Sequence, residues 1–155
     1  MKILEILSPE TIAPRLLAQC KKDVLEELAE TLTHRYPELD RDAVVDVLLE
    51  REHLGTTGIG EGIAIPHGKM RELTELVASF GRSMEGVDFQ SMDNRPAHLF
   101  FLLLAPENSA GAHLKALAKI SRMLKDKTFC QELMNAETAD EIFQIIAHED
   151  EKLGP

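Results

Sequence analysis

Leu54-Gly-Thr-Thr-Gly-Ile-Gly-Glu-Gly-Ile-Ala-Ile-Pro-His-Gly-Lys69 is the stretch on which the reading of this chain turns. Glycines at 55, 58, 60, 62 and 68 permit positive φ angles and let the backbone lie close to a ligand or to a partner's backbone. Pro66 fixes φ immediately before His67 and Gly68 follows it, so a rigid residue and a flexible one bracket a single imidazole. Such bracketing suits a nucleophile presented in one orientation, because positioning supplies much of the rate of a group transfer. The plainer reading is a turn histidine beside proline, and spacing alone favours it.

Two nucleotide-binding readings fail on spacing. Gly62 to Lys69 has five residues between its glycines where a P-loop has four, and Met70 stands where a magnesium-binding Ser or Thr is required. Gly58, Gly60 and Gly62 give G-x-G-x-G rather than the dinucleotide fingerprint, and an apolar stretch follows where a helix is required.

The string from Leu48 to Lys69, LLEREHLGTTGIGEGIAIPHGK, resembles the active-site signature of enzyme IIA domains of the phosphoenolpyruvate-dependent phosphotransferase system, fructose/mannitol type. A second string, Leu102 to Leu117, LLLAPENSAGAHLKAL, is similar to the segment that holds that family's second active-site histidine. The motifs are long and correctly ordered, and Val87-Asp-Phe-Gln-Ser-Met-Asp93 is closest to the family's nitrogen-regulatory branch.

The rest of the chain is read from composition and pattern. Its 155 residues fit one domain, here bounded at 1–148 with a frayed polar tail over 149–155. Apolar residues at 44% and charged residues at 28% place it among ordinary globular proteins. A net charge of −10 disfavours nucleic acid and anionic lipid and favours a basic protein partner. Cys20 and Cys130 form no C-x-x-C and read as two buried reduced thiols. Glu5 interrupts the apolar N-terminus, and the run Leu99–Ala105 is too short for a bilayer, so a cytoplasmic protein without membrane insertion is expected.

Apolar spacing predicts a helix over 21–35, a second capped by Asp40 with Val44, Val45, Leu48 and Leu49 inward, and a stop at Gly55. Strands are expected at Ile63–Ile65, at Leu76–Phe80 and centrally at Leu99–Leu104. A helix from Ser109 should turn Leu114, Leu117, Ala118, Ser121 and Leu124 to one side. A short helix around 129–134 follows, and Thr138-Ala-Asp-Glu141 reads as a capping box before Ile142, Ile145 and Ile146. This order gives a three-layer α/β sandwich, a central mixed β-sheet flanked by helices on both faces. The resemblance implies the same fold and brings both histidine motifs to one edge of the sheet.

The resemblance also implies a function, a phosphoryl relay fed by an HPr-type phosphocarrier protein. Carried over position by position, His67 accepts the phosphoryl group, at Nε2. His113 hydrogen-bonds the phosphoryl oxygens and Arg51 is the facing cation. Thr56 and Thr57 either offer hydroxyls to the phosphoryl group, from a phosphoryl loop that includes Gly58, Gly60 and Gly68, or cap the turn. Neutral imidazole is the reactive form, and with an ordinary pKa near 6.5 roughly three quarters of it is available at neutral pH. The plainer readings are a helix-end cation for Arg51 and a polar first-turn residue for His113. No cofactor is implied, and no H-x-x-x-H pair points to a metal. Without an attached sugar-specific domain in the chain, a regulatory output acting on a protein target is expected. The alternative is a sugar-specific enzyme IIA serving a separate IIB component.

Overall fold

The computed structural model describes residues 1–155. The apolar run at its centre forms β6 (Ala97–Pro106). Strand side chains alternate between faces, so Leu99, Phe101 and Leu103 enter one core while Phe100, Leu102 and Leu104 enter the other. Each fully buried Leu or Phe contributes roughly 2 kcal/mol. Burial on both faces requires a covering layer on each side, and pairing along both of its edges makes this strand the centre from which the sheet builds outward.

Along one edge β6 pairs antiparallel with β5 (Val77–Val87), and β1 (Ile12–Ala13) adds to β5 in parallel. On its other edge two short strands follow in succession, β3 (Ile63–Ala64) and β4 (His67–Met70), both parallel to β6. β2 (Gly58–Gly60) closes an antiparallel hairpin on β3. The expected strand at Ile63–Ile65 is present as β3, and the glycine-rich residues on either side of it, read from sequence as loop, contribute β2 and β4. Proline lacks an amide donor, so the ladder breaks at Ile65-Pro66, and the Pro66 carbonyl still accepts from the Leu103 amide at 2.9 Å.

Helices α1 (Lys21–Arg35) and α2 (Arg41–His53) cover one face, and α3 (Ala110–Leu124), α4 (Lys127–Asn135) and α5 (Ala139–Leu153) cover the other. The Asp40 carboxylate caps α2 by accepting from the Ala43 amide at 3.2 Å. Thr138 caps α5 by accepting from Glu141 at 3.1 Å, but the Glu141 carboxylate reaches the Glu137 amide at 3.0 Å instead of closing the reciprocal box on Thr138. The result is a mixed sheet between two helical layers, as expected.

Three expectations are corrected. α3 buries His113, Ala116, Lys119, Ile120, Met123 and Leu124 and half-buries Leu117, while Leu114 and Ala118 are exposed; the helix is turned relative to the face its apolar pattern favours. The cause lies in α5, where the polar tail is not frayed. α5 runs to Leu153 because Asp150, fully buried, meets the Lys119 ammonium at 2.5 Å and accepts the Leu4 amide at 3.2 Å. The same ammonium donates to the Met1 and Gly154 carbonyls at 2.5 and 2.6 Å, which draws both chain ends onto α3. A buried charge is tolerated only when paired and hydrogen-bonded, and this one is both. The third correction concerns the thiols. Cys20 is exposed, whereas Cys130 is half-buried, donates to the Leu124 carbonyl at 3.2 Å and is pushed up to about 11 by burial.

Candidate active site

Register decides which way His67 points. It pairs with Leu103, and residues paired across a ladder project to the same face. Leu103 lies in the core beneath α3 to α5, so the imidazole emerges on the α3 side. There it meets His113 from the first turn of α3, the ring centroids 5.6 Å apart and the planes nearly perpendicular at 89°. Gly68 faces the other way, toward α2. A Cβ at Gly68 would stand 2.5 Å from Cγ1 of Val47, a distance that forces a shift, so the absence of a side chain lets α2 lie this close. Arg51 follows Val47 by one helical turn and shares its face. Hence one glycine sets the approach of the helix that carries the cation.

His67, His113, Arg51 and Gly68, with Val47, Glu50, Leu54, Lys69, Ala110, Leu114 and Leu117, line an open depression of about 590 Å³. Lys69 was not anticipated. Its signal was the period of two that puts it on the same side of β4 as His67, a signal hidden while the stretch was read as loop. Arg51 also keeps its plainer role, donating from Nη1 to the Gly55 carbonyl at 2.9 Å across the end of α2, where Gly55 has φ +149°.

The expected hydroxyl donors are engaged elsewhere. Thr56 Oγ1 donates to the Phe89 carbonyl at 3.2 Å and accepts from the Gly58 amide at 3.1 Å. The Thr57 hydroxyl donates to the Glu52 carboxylate, which also accepts the Thr57 amide at 3.1 Å. Thr56, Thr57, Gly58 and Gly60 brace the hairpin behind the depression and do not line it. Short side chains that can hydrogen-bond the nearby backbone do so here before reaching for any external group.

The tautomer of His67 follows from one contact. Its Nδ1 lies 2.8 Å from the Ile65 carbonyl oxygen, which can only accept, so Nδ1 carries the proton and Nε2 the lone pair. Burial holds the His67 pKa below the ordinary 6.5, opposed by the Ile65 hydrogen bond, with the Arg51 charge acting downward and that of Glu52 upward. Burial, then the neighbouring His67 and Lys69, lower His113 likewise. Neither ring nitrogen of His113 has a hydrogen-bond partner within the protein, although the residue is buried. No three His, Cys, Asp or Glu side chains converge as metal ligands, and no helix is long and apolar enough to cross a membrane.

These two shifts carry a stability consequence. Between the depressed values and 6.5 the unfolded chain binds more protons than the folded one. The contribution is therefore complete above 6.5 and is lost as pH falls through the lower, folded values. Urea unfolding at about pH 7.5 and about pH 5.5 should show a lower midpoint at the acid pH, and His113→Gln should show a smaller drop. Equal drops in parent and variant would exclude His113 as a contributor.

A three-layer α/β domain that sets two neutral imidazoles, one with a fixed tautomer, beside a guanidinium and a helix N-terminus defines a class built for anionic group transfer. Residues 5–149 match the family described as phosphoenolpyruvate-dependent sugar phosphotransferase system, EIIA 2, and the chain belongs to that family. It is 44% identical over 147 residues to a nitrogen regulatory protein of Bradyrhizobium diazoefficiens, covering 95% of each chain. It is 39% identical over 150 residues to the fructose-specific EIIABC component of Bacillus subtilis, covering 97% of this chain and 24% of that one. The crystal structure of nitrogen regulatory protein IIA-Ntr from Neisseria meningitidis superposes with a TM-score of 0.86 at 36% identity, over 92% of this chain and 97% of that one.

Proposed function

We propose that this domain is a phosphoryl relay that accepts the group on Nε2 of His67 from a phosphorylated HPr-type carrier, with a regulatory output. The observation that carries this reading is the Nδ1–H to Ile65 carbonyl hydrogen bond, which leaves Nε2 as the only nucleophilic nitrogen of a ring held neutral. In the transfer, the Nε2 lone pair forms a bond to phosphorus as the donor's P–N bond breaks, and that electron pair returns to the donor imidazole. Positive charge arising on the His67 ring is shared with the Ile65 carbonyl through Nδ1–H. His113, its ring centroid 5.6 Å from that of His67, takes the role the family resemblance gives it, a hydrogen bond to the phosphoryl oxygens, and Arg51 and the N-terminus of α3 at Ala110 meet their negative charge. Because both imidazoles stay neutral to below the ordinary histidine value, acceptance should be insensitive to pH around neutrality and fall only as His67 protonates at lower pH.

A regulatory output is supported by the similarity to nitrogen regulatory proteins along nearly the full length of both chains. Leu54 and Leu114, 84% and 67% exposed, stand on the rim of the depression as apolar surface for a partner. A phosphoryl group adds about −1.5 to −2 charges there, and a target docked across the rim must desolvate it. The two states of His67 should then differ in partner affinity by on the order of 1 to 3 kcal/mol. The second reading, a sugar-specific IIA passing the group to a separate IIB, is supported by the match to the fructose-specific EIIABC component. Baits carrying His67→Ala and His67→Asp separate the two when used on lysate of the source organism. Retention of a regulatory protein by the first and its loss from the second is expected. Identical partners, or capture of a IIB protein alone, would favour the transport reading instead.

A further inference from the structure

Behind the depression lies an ion pair that the transfer step itself does not use. Glu52, in the last turn of α2, has a side chain only 4% exposed, and its Oε1 meets Nζ of Lys21, the first residue of α1, at 2.9 Å. The ammonium also sits over the Phe89 ring, 4.7 Å from its centroid. From this pair a continuous hydrogen-bonded path leads to the reactive imidazole. The Glu52 carboxylate accepts the Thr57 amide at 3.1 Å as well as the Thr57 hydroxyl. The Thr57 carbonyl accepts the Ile65 amide at 3.0 Å, and the Ile65 carbonyl accepts Nδ1–H of His67 at 2.8 Å.

We propose that Glu52, held by Lys21, is a positioning residue for His67 that acts through Thr57 and the Ile65 peptide on Nδ1–H. Orientation of the Ile65 carbonyl fixes which nitrogen carries the proton, and that peptide sits at the break between β3 and β4, where Pro66 supplies no amide to anchor it. Glu52 and Thr57 anchor the neighbouring Ala64–Ile65 peptide through the Ile65 amide instead, and so fix the residue from which the carbonyl projects. Lys21 does a second thing. It neutralises a buried carboxylate that would otherwise raise the proton affinity of His67 and repel an incoming phosphoryl group. The other charged or titratable groups facing His67 are Glu50 and Arg51 from α2, Lys69 from β4 and His113 from α3. None of these joins the path through Thr57.

The proposal rests on the relay reading for its effect on rate, but its effect on the imidazole is measurable in the unmodified protein. Long-range proton–nitrogen NMR of the full chain reports both the tautomer and the titration of His67. Glu52→Gln keeps the shape and one acceptor but removes the charge. It should lower the His67 titration midpoint, reduce the share of the Nδ1–H tautomer and slow phosphoryl acceptance about tenfold at neutral pH. Lys21→Met should move the midpoint the other way, upward, by leaving Glu52 unpaired, and the double variant should return toward the parent. A purely structural role predicts shifts of one sign in both single variants. Shifts of the same sign, or parental titration and tautomer in either folded variant, overturn the proposal. If Glu52→Gln does not fold by circular dichroism, the upward shift in Lys21→Met decides alone. A parent that takes no phosphoryl group sinks the relay reading, while the NMR comparison still tests the brace.

Discussion

Replacing His67 by alanine is expected to abolish phosphoryl acceptance entirely. Incubated with phosphoenolpyruvate, enzyme I and HPr, the parent should gain one acid-labile, alkali-stable phosphoryl group, seen by intact-mass spectrometry, and His67→Ala should gain none. The expectation is total because the neighbouring imidazole is a poor substitute. His113 is buried in the first turn of α3, with neither nitrogen oriented by a partner. His67 is half-exposed on a strand with its proton fixed away from the reacting nitrogen. Folding should be unaffected, since the His67 side chain makes no hydrogen bond except that to Ile65. Undiminished labelling of the variant would move the reacting group to another residue.

Next in size is the effect of removing the charge that faces the phosphoryl group. A cation about 5 Å from one unit of phosphoryl charge is worth around 3 kcal/mol at an effective dielectric of 20, against about 1 kcal/mol for a neutral hydrogen bond. Arg51→Ala should therefore slow transfer by up to about a hundredfold and His113→Ala by about tenfold, as read by rapid-quench assays. The contact of Arg51 with the Gly55 carbonyl complicates the larger number, because alanine also frees the end of α2. Arg51→Lys separates the two effects. A lysine keeps the charge without the planar fork, so a rate well above that of Arg51→Ala assigns the loss to charge. A variant that transfers at the parental rate leaves that residue with its plainer role at the helix end or in the first turn.

Much of this molecule was legible along the chain. The limits of α1, the Asp40 cap on α2 and the double burial of β6 follow from patterns spanning a few residues, and such patterns survive folding because the forces behind them are local. The site was legible in part. His67 between Pro66 and Gly68 stood out, and Arg51 and His113 entered through resemblance to a family. The turn of α3 misled because a helical pattern read for apolar residues counts Lys119 as outward, whereas a buried carboxylate thirty-one positions later in sequence holds it inward. The threonines take the turn-bracing one of their two readings for a related reason: a hydroxyl within reach of an unseen acceptor is committed before any ligand arrives.

By itself, then, the sequence determined the layers, the central strand and a conformationally confined imidazole in an acidic domain, since periodicity, turn chemistry and composition act over short range. Tertiary structure alone decided how that imidazole is used. The register of β4 against β6 turned His67 toward α3, the bare Cα of Gly68 admitted α2, and the Ile65 carbonyl placed the proton on Nδ1. Each of these depends on groups distant in sequence or on the direction of one peptide plane, and a burial pattern along the chain carries no record of either.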